Sequence, residues 1–345
     1  MGDDGHESSE GLISVEEALS ELGVAPGNDQ NLFKHKLSGG LTNDNVLVIL
    51  QSNSPGIDYN HNKEKILKYV LRRFSSKTSQ HLSYDRVQEY NNSNIAFNDK
   101  QIGAPVIGYV PPTHHHGGAL ALDFVEGETM NEPRIQLLCS SEKEISRLVE
   151  TLKAIHKNPP LFKNEFDPFK ARFNYEQQTE TLSGRGVPWK GYQKLVQQLS
   201  FLQTHLAKSP ESLVDCHNDL LSANFIDSLP HITVIDWELS GQAQPSWELG
   251  NFVSENGLDG NEAVIKRLIT QYWGEGSSSS YINAKIKRAK LFSIVSKITW
   301  SAWGAVLHHL DKGQAFDYQS WCMERVTKAQ TALNDQNSIN FLCSD

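Results

Sequence analysis

The stretch from Val214 to Ser240, VDCHNDLLSANFIDSLPHITVIDWELS, constrains the fold of this chain more than any other. Within it Asn224 follows Asp219 by five residues, and a short apolar hairpin then leads to Asp236. A hairpin brings the residues at its two ends together, so we expect these polar side chains to be neighbours. Phosphoryl transfer needs one carboxylate to accept a hydroxyl proton, and a second carboxylate and an amide oxygen to hold magnesium. The stretch therefore predicts a phosphoryl-transfer centre.

The spacing from Asp219 to Asn224 equals that of the protein-kinase catalytic loop, and His217 lies two residues before the aspartate, as a histidine does in that loop. The alternative is that Asp219 and Asp236 are ordinary turn and strand-end residues, which does not account for the joint pattern. The segments H-N-D and I-D-W-E resemble those of the choline and ethanolamine kinase family, whose signatures look like HNDLxxxNIL and IDWEY. With gaps, the resemblance covers residues from about 37 to about 318.

This resemblance implies an α+β, two-lobe, protein-kinase-like fold, with a small antiparallel sheet in the N-terminal lobe and a larger, mainly helical C-terminal lobe. The predicted boundaries are a disordered tail over 1–12, a nucleotide-binding lobe over 13–121, a hinge over 122–128 and a catalytic and substrate-binding lobe over 129–345. Asp219 is the predicted catalytic base, and Asn224 and Asp236 are the predicted magnesium ligands. His217 is expected to support the loop through hydrogen bonds.

Composition limits the partners and the compartment. The net charge of −9 argues against nucleic acid as the main partner and is compatible with a small cationic substrate. No long uncharged apolar run and no N-terminal signal pattern is visible, so we expect a cytoplasmic protein without membrane insertion. The four cysteines lack metal-site spacing and are predicted to be free thiols in a reducing compartment. The four cysteines are Cys139, Cys216, Cys322 and Cys343.

A glycine turn between two predicted strands is the first candidate for nucleotide binding. Glycines allow the backbone to approach a phosphate closely, and neighbouring hydroxyl and amide groups can donate hydrogen bonds to it. By itself the segment also fits an ordinary hairpin turn. The family has a similar GG(L/I/M)(S/T)N segment here, so the resemblance implies a phosphate-covering loop. Its predicted cofactor-binding residues are Ser38, Gly39, Gly40, Thr42 and Asn43.

Two further segments resemble nucleotide-binding parts of the family. The strand that ends in V-L-R-R-F looks like the family's V-L-x-R-x-Y, which puts Arg72 in the role of the phosphate-binding lysine of protein kinases. Arg73, the next residue of the strand, would then point to the other face of the sheet. Glu89, on a predicted helix over 83–97, is the candidate partner of Arg72. The backbone of Asp123, Phe124 and Val125 is expected to receive the adenine ring.

Aromatic and acidic residues suggest where an acceptor would bind. Trp300 and Trp303 are three residues apart and so share one face of a helix, where two indole rings can attract a quaternary ammonium group. Core packing is the alternative, but a similar W-x-x-W lines the choline pocket of the family. The predicted substrate residues are Glu238, Glu255, Trp300 and Trp303. Tyr272 and Trp273 are candidates for a further wall of the pocket.

The resemblance implies ATP-dependent phosphorylation of the hydroxyl group of choline or ethanolamine, which gives phosphocholine or phosphoethanolamine for phospholipid synthesis. ATP and Mg²⁺ are the expected cofactors, and the expected partners are the amino alcohol and, at most, a second copy of the chain. Leu221 and Leu239 stand where choline kinases usually carry Gln and Tyr, so thiamine or an aminoglycoside is the alternative acceptor. A non-catalytic nucleotide-binding scaffold is the alternative of another class.

Local sequence patterns predict two helices and one loop. Ser14 and Glu17 form a capping box at the start of a helix. A second helix follows Ser141, with apolar residues at helical spacing: Ile145, Leu148, Val149, Leu152 and Ile155. The three histidines at 114–116 are expected to form a solvated loop, because adjacent residues point in different directions and nothing nearby completes a metal shell.

Overall fold

The structure is a computed structural model that describes residues 11–37, 40–52, 66–274, 276–311 and 316–343. The chain divides into two compact units, Met1–Tyr90 with Ala104–Val125, and Asn91–Gly103 with Glu126–Asp345. Residues 1–10 of the predicted tail lie outside the described part of the chain. Among the described helices, none is both long and apolar enough to cross a membrane.

The first unit is built on a five-stranded sheet in which every neighbouring pair of strands is antiparallel. The first three strands lie side by side in chain order, and the fifth strand lies between the third and the fourth. The strands are β1 Gln30–Lys36, β2 Asn43–Ser52, β3 Ile66–Phe74, β4 Val106–Val110 and β5 Ala119–Asp123, in the order β1-β2-β3-β5-β4.

Helix α1, Val15–Glu21, packs against the core formed by this sheet. Its start is the predicted cap, because the Ser14 hydroxyl accepts the Glu17 N–H at 3.1 Å. Helices α2 (Ser76–Leu82) and α3 (Arg86–Asn98) follow β3.

The prediction of a solvated histidine loop is wrong for His116. This side chain is buried, and its Nδ1 accepts the N–H of Gly118 at 3.1 Å. A buried ring nitrogen needs a hydrogen-bond partner, and the loop backbone supplies one. His116 therefore holds its own loop together.

The second unit is mainly helical and carries short strands. Its helices are α4 Glu132–Ser140, α5 Glu142–Ile155, α6 Pro168–Ser183, α7 Tyr192–Ala207, α8 Pro245–Glu255, α9 Glu262–Trp273, α10 Ser279–Leu310, α11 Tyr318–Asn334 and α12 Gln336–Leu342. Its strands are β6 Glu128–Thr129, β7 Val214–Cys216, β8 Phe225–Asp227, β9 Ile232–Val234 and β10 Gly241–Ala243. The five apolar positions predicted for α5 are all buried.

Helix α10 lies at the centre of this unit. Every residue from Leu291 to Leu307 is buried, and the helix packs against α6, α8 and α11. A helix buried on all sides is a core element rather than an amphipathic surface helix. The side chains of α10 are therefore fixed by packing, which matters because it carries Trp300 and Trp303.

The hairpin predicted from sequence is present. β8 and β9 pair antiparallel, with Phe225 opposite Val234, and the segment between β7 and β8 carries Asp219 and Asn224. The predicted α+β class, with an antiparallel sheet first and a mainly helical remainder, is confirmed.

Candidate active site

The site residues predicted from sequence fall into two sets, one in each unit. The catalytic, metal and substrate candidates belong to the second unit, and the nucleotide candidates belong to the first.

The loop between β7 and β8 orients Asp219 and Asn224 toward each other. The Asn224 amide nitrogen donates to the Asp219 carbonyl at 2.8 Å and to its carboxylate at 3.3 Å. A side-chain amide has one nitrogen and one oxygen, so this arrangement leaves the Asn224 oxygen as the atom that can bind a cation. The backbone carbonyl of Asn224 also accepts the N–H of Ile235, which places Asp236 beside it across the hairpin.

His217 supports this loop from within the core. Its Nε2 faces the carbonyl of Ile235 at 2.8 Å, and its Nδ1 accepts the N–H of Asp219 at 3.2 Å. These contacts assign the neutral ring with the proton on Nε2. Burial lowers the pKa of His217, which favours the same neutral form. The predicted supporting hydrogen bonds of His217 are therefore present.

Asn218, the residue just before Asp219, has a left-handed backbone with φ of 68°. Such a conformation costs free energy for a residue with a side chain and must be held by its surroundings. The Asn218 N–H donates to the Glu248 carboxylate at 2.6 Å, and its side chain accepts from Trp247 and donates to Leu239. Helix α8 thus fixes the turn that presents Asp219.

Glu248 is itself held by a buried histidine. His156 Nε2 lies 2.5 Å from its second carboxylate oxygen, and His156 Nδ1 lies 2.6 Å from the hydroxyl of Tyr272. Cys216 Sγ lies 3.8 Å from the same ring, and burial raises the pKa of this thiol well above its usual value. Tyr272, a candidate for a further wall of the acceptor pocket, therefore supports the loop through His156 and Glu248.

Three other carboxylates of the second unit lie near Asp219. A carboxylate oxygen of Asp236 lies within 4.8 Å of one of Glu238, and Asp236 also has a left-handed backbone, with φ of 69°. Burial and the nearby carboxylates of Asp236, Glu255 and Glu238 raise the pKa of Asp219 well above its usual value. A dense group of carboxylates is suited to bind cations.

Tyr175 belongs to this group, and the sequence analysis missed it. It is buried on α6, and burial, with Glu238 and Asp219 close by, raises the pKa of its hydroxyl. The sequence between α5 and β7 contained no motif, so the only signal was a tyrosine within a helix.

The predicted tryptophan pair is buried on α10. The ring centroids of Trp300 and Trp303 lie 6.3 Å apart at 87°, an edge-to-face pair. Trp300 Nε1 donates to the side-chain oxygen of Asn251 at 2.7 Å, and the nitrogen of Asn251 donates to the carbonyl of Asn218 at 3.0 Å. One asparagine thus connects the pair to the catalytic loop.

Glu255, predicted to face a substrate, has a partner within the protein. Its carboxylate lies 2.6 Å from a guanidinium nitrogen of Arg325, on α11. That guanidinium also lies over the ring of Trp321, 3.5 Å from the ring centroid. The ring centroids of Trp321 and Trp303 are 5.9 Å apart. Trp321 and Arg325 were missed because nothing in the local pattern of α11 sets them apart.

In the first unit, the expected pairing of Arg72 with Glu89 is present. The guanidinium of Arg72 contacts one Glu89 oxygen through two nitrogens, each at 3.1 Å, and Arg86 contacts the other oxygen at 2.7 Å. Arg73 points away, as expected, and pairs with Asp44 at 2.6 Å.

Part of the predicted phosphate loop is described. Ser38 and Gly39 lie outside the described residues. Gly40 has φ of 91°, and an added Cβ would lie 2.8 Å from the side chain of Asn45, so glycine is required there. The Asn43 amide donates to the hydroxyl of Thr42 at 3.1 Å.

At the predicted hinge, two of the three backbone N–H groups donate within the first unit. The N–H of Asp123 donates to Pro105, and that of Phe124 donates to Lys68. The N–H of Val125 is therefore the candidate of the three for a hydrogen bond to adenine.

Known structures share this fold. A choline/ethanolamine kinase family protein from Mesorhizobium loti matches with a TM-score of 0.68 and 20% identity over 94% of this chain and 97% of its own. The structure of LicA in complex with AMP matches with a TM-score of 0.66 and 20% identity over 93% of this chain and 96% of its own. The chain therefore has the fold of these solved structures.

Sequence comparison identifies the family. The model of choline/ethanolamine kinase matches residues 35–330, and the chain belongs to this family. It is 24% identical over 272 residues to protein LicA of Haemophilus influenzae, which covers 78% of this chain and 71% of that one. It is 23% identical over 317 residues to the probable ethanolamine kinase A of Dictyostelium discoideum, covering 84% and 82% of the two chains.

Proposed function

We propose that this protein transfers the γ-phosphoryl group of ATP to the hydroxyl group of choline or ethanolamine. The observation that carries the proposal is the loop in which Asn224 is hydrogen-bonded to Asp219, while the peptide before Asp219 is joined through Asn251 to Trp300. A proton acceptor, a cation ligand and an aromatic wall are the groups that this reaction needs.

Asp219 is the proposed base. Its carboxylate accepts the proton of the acceptor hydroxyl as the oxygen attacks the γ-phosphorus of ATP and the bond to the β-phosphate oxygen breaks. The products are ADP and a phosphomonoester. The raised pKa of Asp219 suits this role, since a stronger base takes the proton more readily once it is ionised.

The oxygen of Asn224 and the carboxylate of Asp236 are the proposed ligands for Mg²⁺. They fit this ion, because the nitrogen of Asn224 is already used by Asp219 and oxygen ligands are what magnesium prefers. When bound with ATP, the ion neutralises negative charge on the phosphates.

Arg72, held by Glu89, is the proposed phosphate-binding cation, and the N–H of Val125 is the proposed donor to adenine. The AMP bound in the LicA structure supports nucleotide binding by this fold.

Arg72→Met should raise the KM for ATP by about tenfold or more, because it removes charge-assisted hydrogen bonds to phosphate. The KM for the alcohol should change little. The matched control is Arg73→Met, since Arg73 is equally buried but pairs with Asp44. Steady-state kinetics with each substrate varied would check this, and equal effects of the two variants on the KM for ATP would refute the role of Arg72.

Trp303→Ala should raise the KM for choline by about tenfold, since a cation over an indole ring gains roughly 0.5–2 kcal/mol and the cavity would loosen its neighbours. The KM for ATP should stay near its original value. Trp273→Ala is the control. Trp273 was a candidate for a further wall of the pocket, but its ring lies under Lys285 and beside Tyr281 rather than with the Trp300–Trp303 pair. A parallel rise in both KM values would contradict the acceptor role of Trp303.

The proposed function is tested by ADP release from ATP and Mg²⁺ with choline, ethanolamine, thiamine or an aminoglycoside as acceptor. We expect turnover with choline or ethanolamine at concentrations where the other two give only background. Turnover with thiamine or the aminoglycoside alone would overturn the acceptor assignment.

A further inference from the structure

Near the proposed acceptor residues, the second unit contains a positively charged side chain, that of Arg325. Arg325 lies 2.6 Å from one oxygen of Glu255, and the pair is largely buried, with 16% and 6% of the two side chains exposed. The other oxygen of Glu255 accepts from the hydroxyl of Ser254 at 3.2 Å and lies 3.4 Å from that of Ser296. Both oxygens of this carboxylate therefore already have donors.

The same guanidinium lies against an aromatic ring. Its central carbon is 3.5 Å from the centroid of Trp321, which is four residues earlier on α11 and lies 5.9 Å from Trp303. A planar guanidinium over an indole gains cation–π and stacking energy, so this position is well held. Arg325 thus holds both the Glu255 carboxylate and Trp321, which lies next to the Trp300–Trp303 pair.

This arrangement is connected to the catalytic loop. Ser296, beside Glu255, donates to the side-chain oxygen of Asn251 at 2.8 Å, and Asn251 in turn donates to the carbonyl of Asn218. Trp300 donates to the same oxygen of Asn251. Asn251 therefore links Trp300 to the residue before Asp219 by hydrogen bonds, and Ser296 connects Glu255 to the same asparagine. A change at Arg325 thus acts on the acceptor side of the reaction.

We propose that Arg325 determines acceptor specificity by occupying Glu255, so that the site favours a fully alkylated ammonium group over a primary one. This inference rests on the proposed function and narrows it to the class of quaternary amino alcohols. It makes Arg325 a positioning residue, which acts on the substrate through Glu255 and Trp321.

The physical reason lies in the hydrogen-bond donors of the two cations. A primary ammonium group has three N–H donors, and each one that leaves water without finding an acceptor costs free energy. A trimethylammonium group has none and is bound by aromatic faces alone. The Arg325 guanidinium neutralises the charge of Glu255 and binds one of its oxygens, and the Ser254 hydroxyl donates to the other. This carboxylate therefore attracts a primary ammonium group less than an unpaired carboxylate would.

The first test is the wild-type protein, with kcat/KM measured for choline and for ethanolamine under the same conditions. We expect choline to be preferred by about tenfold or more, as sites that cannot pair a donor reject it strongly. Preference for ethanolamine would overturn the inference while leaving the proposed function standing. Turnover of neither alcohol would overturn the proposed function, and the inference with it.

The second test is Arg325→Met, which removes the charge and the donors but keeps much of the length. With Glu255 released, the ratio of kcat/KM for choline to that for ethanolamine should fall by about tenfold. Arg325→Lys, which keeps a charge and donors beside Glu255, should preserve most of the preference. A purely structural role would lower both efficiencies equally, so an unchanged ratio in Arg325→Met would contradict the inference. If that variant does not fold, the wild-type ratio still decides.

Discussion

Replacing Asp219 by alanine is expected to lower kcat by about 1000-fold or more, since a positioned general base contributes 10²–10⁴-fold. The Kd for the magnesium–nucleotide complex should change little. The stronger contact of Asn224 is with the backbone carbonyl of Asp219, at 2.8 Å, and this contact does not depend on the side chain. Single-turnover kinetics and nucleotide titration would measure the two effects separately.

Asp219→Asn is the matched control, because it keeps the shape of the side chain and cannot accept the proton. It should be as inactive as the alanine variant. It should also be at least as resistant to thermal unfolding as the wild type, since it replaces a buried carboxyl group whose ionised form is destabilised by burial and by three other carboxylates. Retention of more than a small fraction of kcat by either variant would refute the assignment of Asp219 as the base.

Glu248→Ala is expected to have the second largest effect, on stability and turnover together. It leaves the N–H of Asn218 and the ring of His156 buried without their partner, and breaking a buried pair in this way costs about 3–5 kcal/mol. The left-handed turn before Asp219 also loses its main support. We expect kcat to fall by about 100-fold, with smaller changes in both KM values, because misplacing a catalytic group by about 1 Å has such an effect.

The control for Glu248→Ala is Leu195→Ala. Leu195 is fully buried on α7, which carries none of the candidate site residues, and its truncation costs about 2–5 kcal/mol. Denaturant unfolding and steady-state kinetics on both variants, at a temperature where both are folded, separate the two effects. If the two variants lose the same fraction of kcat at equal stability, Glu248 has no positioning role.

Sequence patterns predicted the elements that depend on local interactions. The β8–β9 hairpin can be predicted from a few consecutive residues, and helix α5 can be predicted from the spacing of its apolar positions. The Ser14 cap and the support given by His217 to Asp219 also involve partners close in sequence or joined by the hairpin. Such features leave a signal within one window of sequence.

Contacts between distant elements left no such signal. His156 and Glu248 are 92 residues apart, and Glu255 and Arg325 are 70 residues apart. A histidine at the end of one helix and an arginine in the middle of another look like surface residues until tertiary packing buries them. The same reason explains Tyr175 and the burial of His116, since burial is set by packing and not by the neighbouring sequence.

The proposed phosphoryl transfer is tested most directly by phosphorus NMR of a reaction that contains the protein, ATP, Mg²⁺ and choline, with a parallel reaction that contains Asp219→Asn. We expect a phosphomonoester resonance that matches phosphocholine and grows in equal amount with ADP, and no such resonance with the variant. The release of inorganic phosphate without a phosphomonoester, or formation of the same product by the variant, would contradict it.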